Sequence, residues 1–407
     1  MSIPVFTPWF DEMETDFVKK CLSSGWVAQG PMVAEFEKMV AEFENVEHAI
    51  AVTSCTTALH LSLIAMGLQQ NHDVLIPSFT FVATANAVEY IGATPILVDV
   101  RQDTFNIDTV FLENFISSNY SKQGDVWVNN STKNELFGII PVGLFGMCAD
   151  MPKIQQIASE YGLKVLVDDA CTLGSHINNT KQSNFGYPVC LSFHARKSIT
   201  TGEGGMILTN DSDLATKLKK LRTHGASISA ESRHSNRGFN MPDFDELGYN
   251  YRMTDIQAAV GIAQMHKINE IIDMKRAIAK RYDTILPDVL PNLKTPVISE
   301  GHFHTYQSYV CFLDFKSLGF DSIEEGNIFR NDMMAILEDN GVGTRQGTHA
   351  IHLLGYYRNK YGYDSYSLTN AYACDKLSIS IPLYAKLSIT EQDYVIQKLI
   401  DAVKKCI

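Results

Sequence analysis

One lysine, Lys197, stands between a short apolar strand and a glycine-rich turn, in the run Ser192-Phe193-His194-Ala195-Arg196-Lys197 followed by Thr201-Gly202-Glu203-Gly204-Gly205. A surface lysine needs no such setting. A lysine that forms a Schiff base needs a fixed perch where its amine loses its proton and meets a carbonyl. Removing that proton at pH 7 costs roughly 4 to 5 kcal/mol from a reference pKa near 10.4, so desolvation or cationic neighbours are expected around Lys197. About thirty residues upstream, Asp168 and Asp169 close the apolar run 164–167, which reads as a buried parallel strand. Ligands of open α/β sheets collect beyond the carboxyl ends of the strands. Adjacent strand residues face opposite ways, so one of the two acids is expected to meet a ligand and the other to be structural. A third stretch, Val52-Thr53-Ser54-Cys55-Thr56-Thr57, leads from a strand over 48–53 into an amphipathic helix reaching about residue 68. The free N–H groups of that helix start make an anion site, with Thr56 and Thr57 as added hydroxyl donors. Each feature alone has a plain structural alternative: a lysine before a turn, an aspartate anchoring a loop, a serine or threonine capping a helix.

Together with the aromatic of Pro77-Ser78-Phe79-Thr80-Phe81, these groups meet four separate demands of pyridoxal 5'-phosphate. A lysine holds the aldehyde, an acid keeps the pyridine nitrogen protonated so that the ring is an electron sink, a helix start holds the phosphate, and an aromatic ring stacks on the cofactor.

The chain also resembles the DegT/DnrJ/StrS sugar aminotransferases, a family of fold type I pyridoxal-phosphate enzymes. The resemblance rests on the segments 25–31, 54–59, 77–81, 92–95, 169–170, 192–205 and 248–255, in order along nearly the whole chain. It implies that Lys197 forms the Schiff base and shuttles the proton between substrate and cofactor. It implies that Asp169, the acid followed by alanine, pairs with the pyridine nitrogen, with Asp168 in a place where the family often has glutamate. Thr56, Thr57 and Ser192 would hold the phosphate, Phe81 would stack on the ring, and Asn250 would reach the phosphate of a neighbouring subunit, which implies a homodimer with shared active sites. The implied reaction moves the amino group of L-glutamate, through pyridoxamine 5'-phosphate, to a nucleotide-diphospho-keto-sugar. We favour a 4-keto-6-deoxyhexose, and hence an amino sugar for a surface polysaccharide such as O-antigen or for a secondary metabolite. A 3-keto acceptor, a sugar dehydratase and a non-catalytic regulator are the alternatives. Dehydratases of this fold replace the lysine with histidine, so Lys197 favours transamination.

Four positions depart from the family pattern. Cys55 stands where glycine is usual, so the turn is expected to have a negative φ there. Thr172 takes the place of a glutamine or histidine beside the cofactor, Ala195 replaces a proline, and Gly143 stands where many members have histidine.

The net charge of −12, from 34 basic and 46 acidic residues without a basic stripe, argues against nucleic acid or an anionic membrane as partner. A nucleotide diphosphate still needs local positive charge, for which Arg196, Arg222, Arg237 and Arg345 are candidates. The eight cysteines are scattered and show no zinc spacing, which reads as reduced thiols in a cytoplasmic protein without a bound metal. The start of the sequence lacks a basic stretch before an apolar run, and no segment has the eighteen apolar residues of a membrane helix.

The elements that position these groups read as two lobes. From 46 to about 210, apolar runs at 49–52, 74–76, 96–98, 138–142, 165–167 and 206–208 alternate with helical patterns such as 83–91 and 154–161. The expected fold is α/β, with a mostly parallel central sheet flanked by helices and a smaller C-terminal α+β domain. We place the large cofactor-binding domain at 1–270 and the small one at 271–407. The loop over 226–247 is too long for a mere connection and leads into Asn250. A helix from 254 through 272 bridges to the second lobe, which holds a strand over 309–315 and helices over 327–338 and 391–404. The segments 302–306 and 343–349 are candidates for lining a sugar pocket.

Overall fold

The computed structural model describes residues 2–227 and 243–406. Arg237 and most of the long loop leading to Asn250 lie outside the described residues.

The centre is one twisted sheet. Its strands run in the order Thr94–Val98, His72–Pro77, Glu135–Ile139, the broken strand Lys164–Val165 and Val167–Asp168, Val189–Ser192, Gly205–Thr209 and His48–Val52. Among these strands all neighbours are parallel except Gly205–Thr209, which is antiparallel to both of its partners, and an antiparallel hairpin, Tyr120–Gln123 and Val126–Asn129, also pairs with Glu135–Ile139. Both faces of the sheet are apolar, as crossover helices require. Leu75, Ile139, Val165, Val167, Leu191 and Leu208 belong to one buried cluster, while Val74, Ile76, Ile140, Leu166, Cys190 and Ile207 belong to another. Alternation along each strand therefore fills two cores from one set of β-branched and leucine-rich runs.

Several helices start on textual signals. Ser54 caps Cys55–Ala65 and Thr254 caps Asp255–Met265, each in a reciprocal capping box. The helical pattern expected from 254 onward is two helices, Asp255–Met265 and Ile268–Val289, separated at His266 and Lys267. The second begins in the large core through Ile268, Ile271 and Ile272 and ends in the other lobe through Ala279, Tyr282 and Leu286. That lobe packs the sheet Leu293–Lys294, Tyr309–Leu313 and Ser378–Ile381 against Ile323–Asp339 and Ile389–Cys406. Ile3 joins its core and bonds Gly341 and Gly343, so the first described residues pack with the C-terminal lobe. The small hairpin His176–Ile177 and Thr180–Lys181 pairs with His302–Phe303, tying the lobes together behind the strand ends.

Candidate active site

The anion turn forms where Cys55–Ala65 leaves the strand His48–Val52. Ser54 Oγ accepts from the Thr57 N–H at 3.1 Å, and Thr57 Oγ1 donates to the Ser54 carbonyl at 2.8 Å and accepts from the Ser54 N–H at 3.0 Å. Thr57 is thus largely spent on the cap. Thr56 is half-buried and has no side-chain hydrogen bond among the described residues, and the N–H groups of Cys55 and Thr56 have no intrahelical acceptor. Cys55 is not in the left-handed region, in line with the expectation for a non-glycine residue there. Gly205 supports the turn from the neighbouring strand. A Cβ on it would lie 2.3 Å from the Ser54 carbonyl carbon and 2.5 Å from the Cys55 nitrogen. Ser192, paired with Gly205 across the sheet, ends its strand half-buried beside this turn.

The two acids face opposite ways. Asp168 Oδ2 accepts from Thr84 Oγ1 at 2.7 Å, and its Oδ1 accepts from the Ala170 N–H at 3.2 Å and faces Cys55 Sγ at 3.9 Å. Burial raises its pKa, opposed by Thr84, the Ala170 N–H and the Lys197 charge. Asp169 turns to the other side, where Gln182 Nε2 donates to its Oδ1 and reaches Thr172 Oγ1 at 3.1 Å. Its pKa lies well above the usual aspartate range because it is buried, with Glu44 and Asp168 adding negative charge. Asp169 has no ion pair among the described residues. Asp169, the acid expected at the ring nitrogen, and Asp168 thus take opposite faces of the strand end. Successive side chains of an extended strand alternate, and it is Asp168 that shares the face with Lys197 and the Cys55 turn.

Lys197 is half-buried, with Nζ donating to Cys171 Sγ at 3.0 Å. Burial pulls its pKa down, but Cys171, Cys55 and Asp168 outweigh that effect and leave it above the usual lysine range. Of the two expected influences, desolvation is present and no cation is among the residues that shift it. A second lysine, Lys275, is fully buried, donates to the Gln307 carbonyl at 2.9 Å, and is pulled down to about 7 by desolvation. Gln307 in turn donates from Nε2 to the Arg196 carbonyl at 2.7 Å, next to Lys197.

Phe81 is 62% exposed, although Phe79 and Thr80 beside it are buried. Phe79 packs on Phe105 and Phe145, whereas the Phe81 ring is exposed and its carbonyl lies 3.3 Å from Thr84 Oγ1, the hydroxyl bonded to Asp168. The 343–349 segment meets the turn of Phe81 through the bond from the Thr80 N–H to the His349 carbonyl at 3.1 Å, while beside the 302–306 segment it is Gln307, the next residue, that bonds the Arg196 carbonyl. Of the arginines, Arg222 is committed to Glu37 at 2.6 Å, while Arg196 and Arg345 are exposed and without ion pairs among the described residues. Asn250 is exposed, bridged through its backbone to Thr223, and does not join the Lys197 cluster of this subunit.

The donor set fits pyridoxal phosphate: an amine, a buried carboxylate, an exposed ring, and a helix start with free donors. The model of the DegT/DnrJ/EryC1/StrS aminotransferase family matches residues 8–400. The chain belongs to this family. It is a pyridoxal-phosphate-dependent sugar aminotransferase of fold type I. Similar proteins include the spore coat polysaccharide biosynthesis protein SpsC of Bacillus subtilis, 34% identical over 99% of this chain and 97% of its own. GDP-perosamine synthase of Caulobacter vibrioides is 34% identical over 98% and 97%. Among solved structures, Helicobacter pylori PseC, an aminotransferase involved in the biosynthesis of pseudoaminic acid, superposes with a TM-score of 0.86 at 24% identity, covering both chains fully; at that identity it speaks for the fold. No helix among the described residues is long and apolar enough to cross a membrane.

Thr84, Cys171, Gln182 and Lys275 were not singled out by sequence reasoning. Thr84 looked like one more residue of a helical pattern, and Cys171 like one of eight scattered thiols. A buried lysine on a bridging helix carries no local signal.

Proposed function

We propose that this aminotransferase moves the amino group of L-glutamate to a nucleotide-linked 4-keto-6-deoxyhexose, making an amino sugar for a surface polysaccharide. The observation that carries this reading is the convergence of Lys197, the strand end of Asp168 and Asp169, and the Cys55 turn. The relatives named for spore coat polysaccharide and for GDP-perosamine support the polysaccharide setting and the nucleotide-sugar acceptor.

When bound, the cofactor supplies an electron sink that stabilises the carbanion formed at the amine-bearing carbon. Lys197 would hold the aldehyde carbon through Nζ and, when freed, would act as the base that carries a proton between the substrate's amine-bearing carbon and the cofactor. Asp169, the acid followed by Ala170, would pair with the pyridine nitrogen and keep it protonated, while Asp168 would brace the strand end through Thr84. Thr56 Oγ1, the N–H groups of Cys55 and Thr56, and Ser192 hold the phosphate, with Thr57 acting through the cap. Phe81 covers one ring face and excludes water from it. The family resemblance and the exposed position of Asn250, away from the Lys197 cluster of its own subunit, favour a homodimer in which Asn250 would reach the partner's phosphate. In this reading the large domain is 1–270 and the small one 271–407, with the first few residues packed on the latter, and the enzyme works in the cytoplasm.

Mass spectrometry after incubation with ¹⁵N-labelled L-glutamate and each nucleotide 4-keto-6-deoxyhexose tests the reading. It predicts a labelled amino sugar and 2-oxoglutarate. Label transfer to 3-keto-sugars alone, or transfer from other amino acids and not from glutamate, would overturn the acceptor or the donor respectively.

A further inference from the structure

One oxygen of Asp169 sits among Gln182, Thr172 and Gly143. Gln182 Nε2 donates to Asp169 Oδ1 and lies 3.1 Å from Thr172 Oγ1. Gln182 and Thr172 are each 1% exposed, so water does not stand in for that amide. An amide oxygen in its place would set acceptor against acceptor, so it is the N–H₂ that faces the carboxylate. Gly143 closes the same space, since a Cβ on it would lie 2.9 Å from Asp169 Oδ1 and 2.7 Å from Thr172 Oγ1. Thr172 and Gly143 are both departures from the family pattern, and both are smaller than the residues usual there. The other oxygen, Oδ2, accepts no hydrogen bond among the described residues and is not one of the fully buried unpaired atoms, so it borders open space.

Gln182 itself is firmly held. Beside it, Lys181 pairs with the Glu44 carboxylate at 3.8 Å and Ser183 Oγ donates to the Glu44 carbonyl at 3.1 Å. The hairpin that leads into it pairs with His302–Phe303. Yet Gln182 Oε1 is buried with no hydrogen-bond partner among the described residues. An unpaired buried acceptor costs folding free energy, so packing alone gives no reason for a glutamine at this position.

We propose that Gln182 is a positioning residue of the aminotransferase reaction: its buried amide, in the space that Gly143 and Thr172 leave, occupies Asp169 Oδ1 and so presents Oδ2 to the ring nitrogen. The inference rests on the reading that Asp169 serves the pyridine nitrogen. Burial, Glu44 and Asp168 all disfavour a charge on Asp169, whereas an N–H donated to a carboxylate favours it. Gln182 thus supports the ionised acid without bringing a charge that would compete with the ring nitrogen for it.

The test is a double-mutant cycle of Gln182→Met and Asp169→Asn, read by cofactor affinity from equilibrium dialysis and by absorbance titration of the bound cofactor between pH 5 and 9. Methionine keeps the length of the side chain and removes the donor. A hydrogen bond to a charged group is worth enough to expect about a tenfold or greater loss of affinity in Gln182→Met. The titration midpoint of the visible band is expected to rise, because a ring nitrogen less firmly protonated is a weaker positive neighbour of the lysine-linked nitrogen. In the Asp169→Asn background, Gln182→Met is expected to change affinity by less than about threefold. Gln182→Leu carries the same expectations if methionine is not accommodated. Independent multiplying losses, or wild-type affinity and titration in both Gln182→Met and Gln182→Leu, would overturn the role of Gln182 while leaving Asp169 in place. Wild-type behaviour of Asp169→Asn would overturn the acid assignment and this inference with it.

Discussion

The adjacent acids Asp168 and Asp169 differ enough in surroundings that the same substitution is expected to have opposite results. In Asp168→Asn one side-chain oxygen still accepts from Thr84, but the new amide N–H₂ then faces the Ala170 N–H, donor against donor, where the carboxylate accepted at 3.2 Å. A buried donor left unsatisfied costs about 1–3 kcal/mol, so stability is expected to fall by that amount. The transamination rate of the folded enzyme is expected to change by less than about threefold, or under 0.7 kcal/mol. In Asp169→Asn the oxygen that accepts from Gln182 is kept and a buried acid is replaced by a neutral group of the same shape. The charge at the ring nitrogen is lost, so we expect at least a hundredfold loss of the transamination rate, equal to about 2.7 kcal/mol or more in the barrier. Stability is expected to rise at neutral pH. The sign follows from linkage: the folded pKa of Asp169 is raised, so the group favours folding below the ordinary aspartate value and loses that contribution as pH rises toward its folded value. Each unit crossed costs about 1.4 kcal/mol. Denaturant melts of cofactor-free protein at pH 5, 6, 7 and 8 should show a wild-type decline that is flatter in Asp169→Asn, and steady-state rates of the loaded enzymes give the other half. An active Asp169→Asn beside an inactive, stably folded Asp168→Asn would refute the assignment of Asp169 to the ring nitrogen.

Three further outcomes follow from the same geometry. Thr56→Ala should weaken cofactor binding with little change in unfolding free energy, whereas Thr57→Ala should lower stability by about 1 kcal/mol through the cap; dialysis and urea melts separate the two, and equal effects would undo the distinction. Gly205→Ala should cost about 1–3 kcal/mol and loosen the cofactor, because its Cβ meets backbone atoms of Ser54 and Cys55 that cannot step aside; a wild-type melting curve and affinity would contradict this. Lys275 is pulled down from the ordinary lysine value to about 7, so the wild type gains stability as pH rises from about 7 toward 10; Lys275→Met should be more stable at pH 7 and lose that rise in melts taken from pH 7 to 9.5, and an unchanged slope would argue against a desolvated amine.

Much of the site was legible because its groups sit where a strand becomes a loop or helix, and such junctions leave strong marks. The apolar run ending at Asp168, the hydroxyl cluster before Leu59 and the glycines after Lys197 each announced a strand end. What the letters did not carry was direction. Two adjacent acids differ only in which face of the sheet they take, and that depends on the register of Val167–Asp168 against Val189–Ser192. Thr56 and Thr57 are the same residue type one position apart, yet only Thr57 lies where the Ser54 cap captures it. The charge on Lys197 depends on Cys171 and Asp168, which are brought to it by tertiary packing. The short hairpins around 120–129 and 176–181 have weak apolar signals, because four-residue and two-residue strands are held by partners that are distant or polar. The break at His266 and Lys267 is likewise tertiary: Lys267 is buried against Glu14 at 2.5 Å and Asp11 at 3.1 Å.

The central claim, that Lys197 holds and works pyridoxal phosphate with glutamate as donor, is tested most directly by near-ultraviolet and visible absorbance of purified protein before and after L-glutamate, with Lys197→Ala in parallel. The account predicts a visible band of lysine-linked cofactor in the wild type that gives way to the pyridoxamine 5'-phosphate band on adding glutamate. In Lys197→Ala it predicts no lysine-linked band and no transfer to a keto-sugar, in a protein that remains folded. A wild-type band indifferent to glutamate would contradict the donor, and a Lys197→Ala protein that keeps the band and turns over would contradict the role of the lysine.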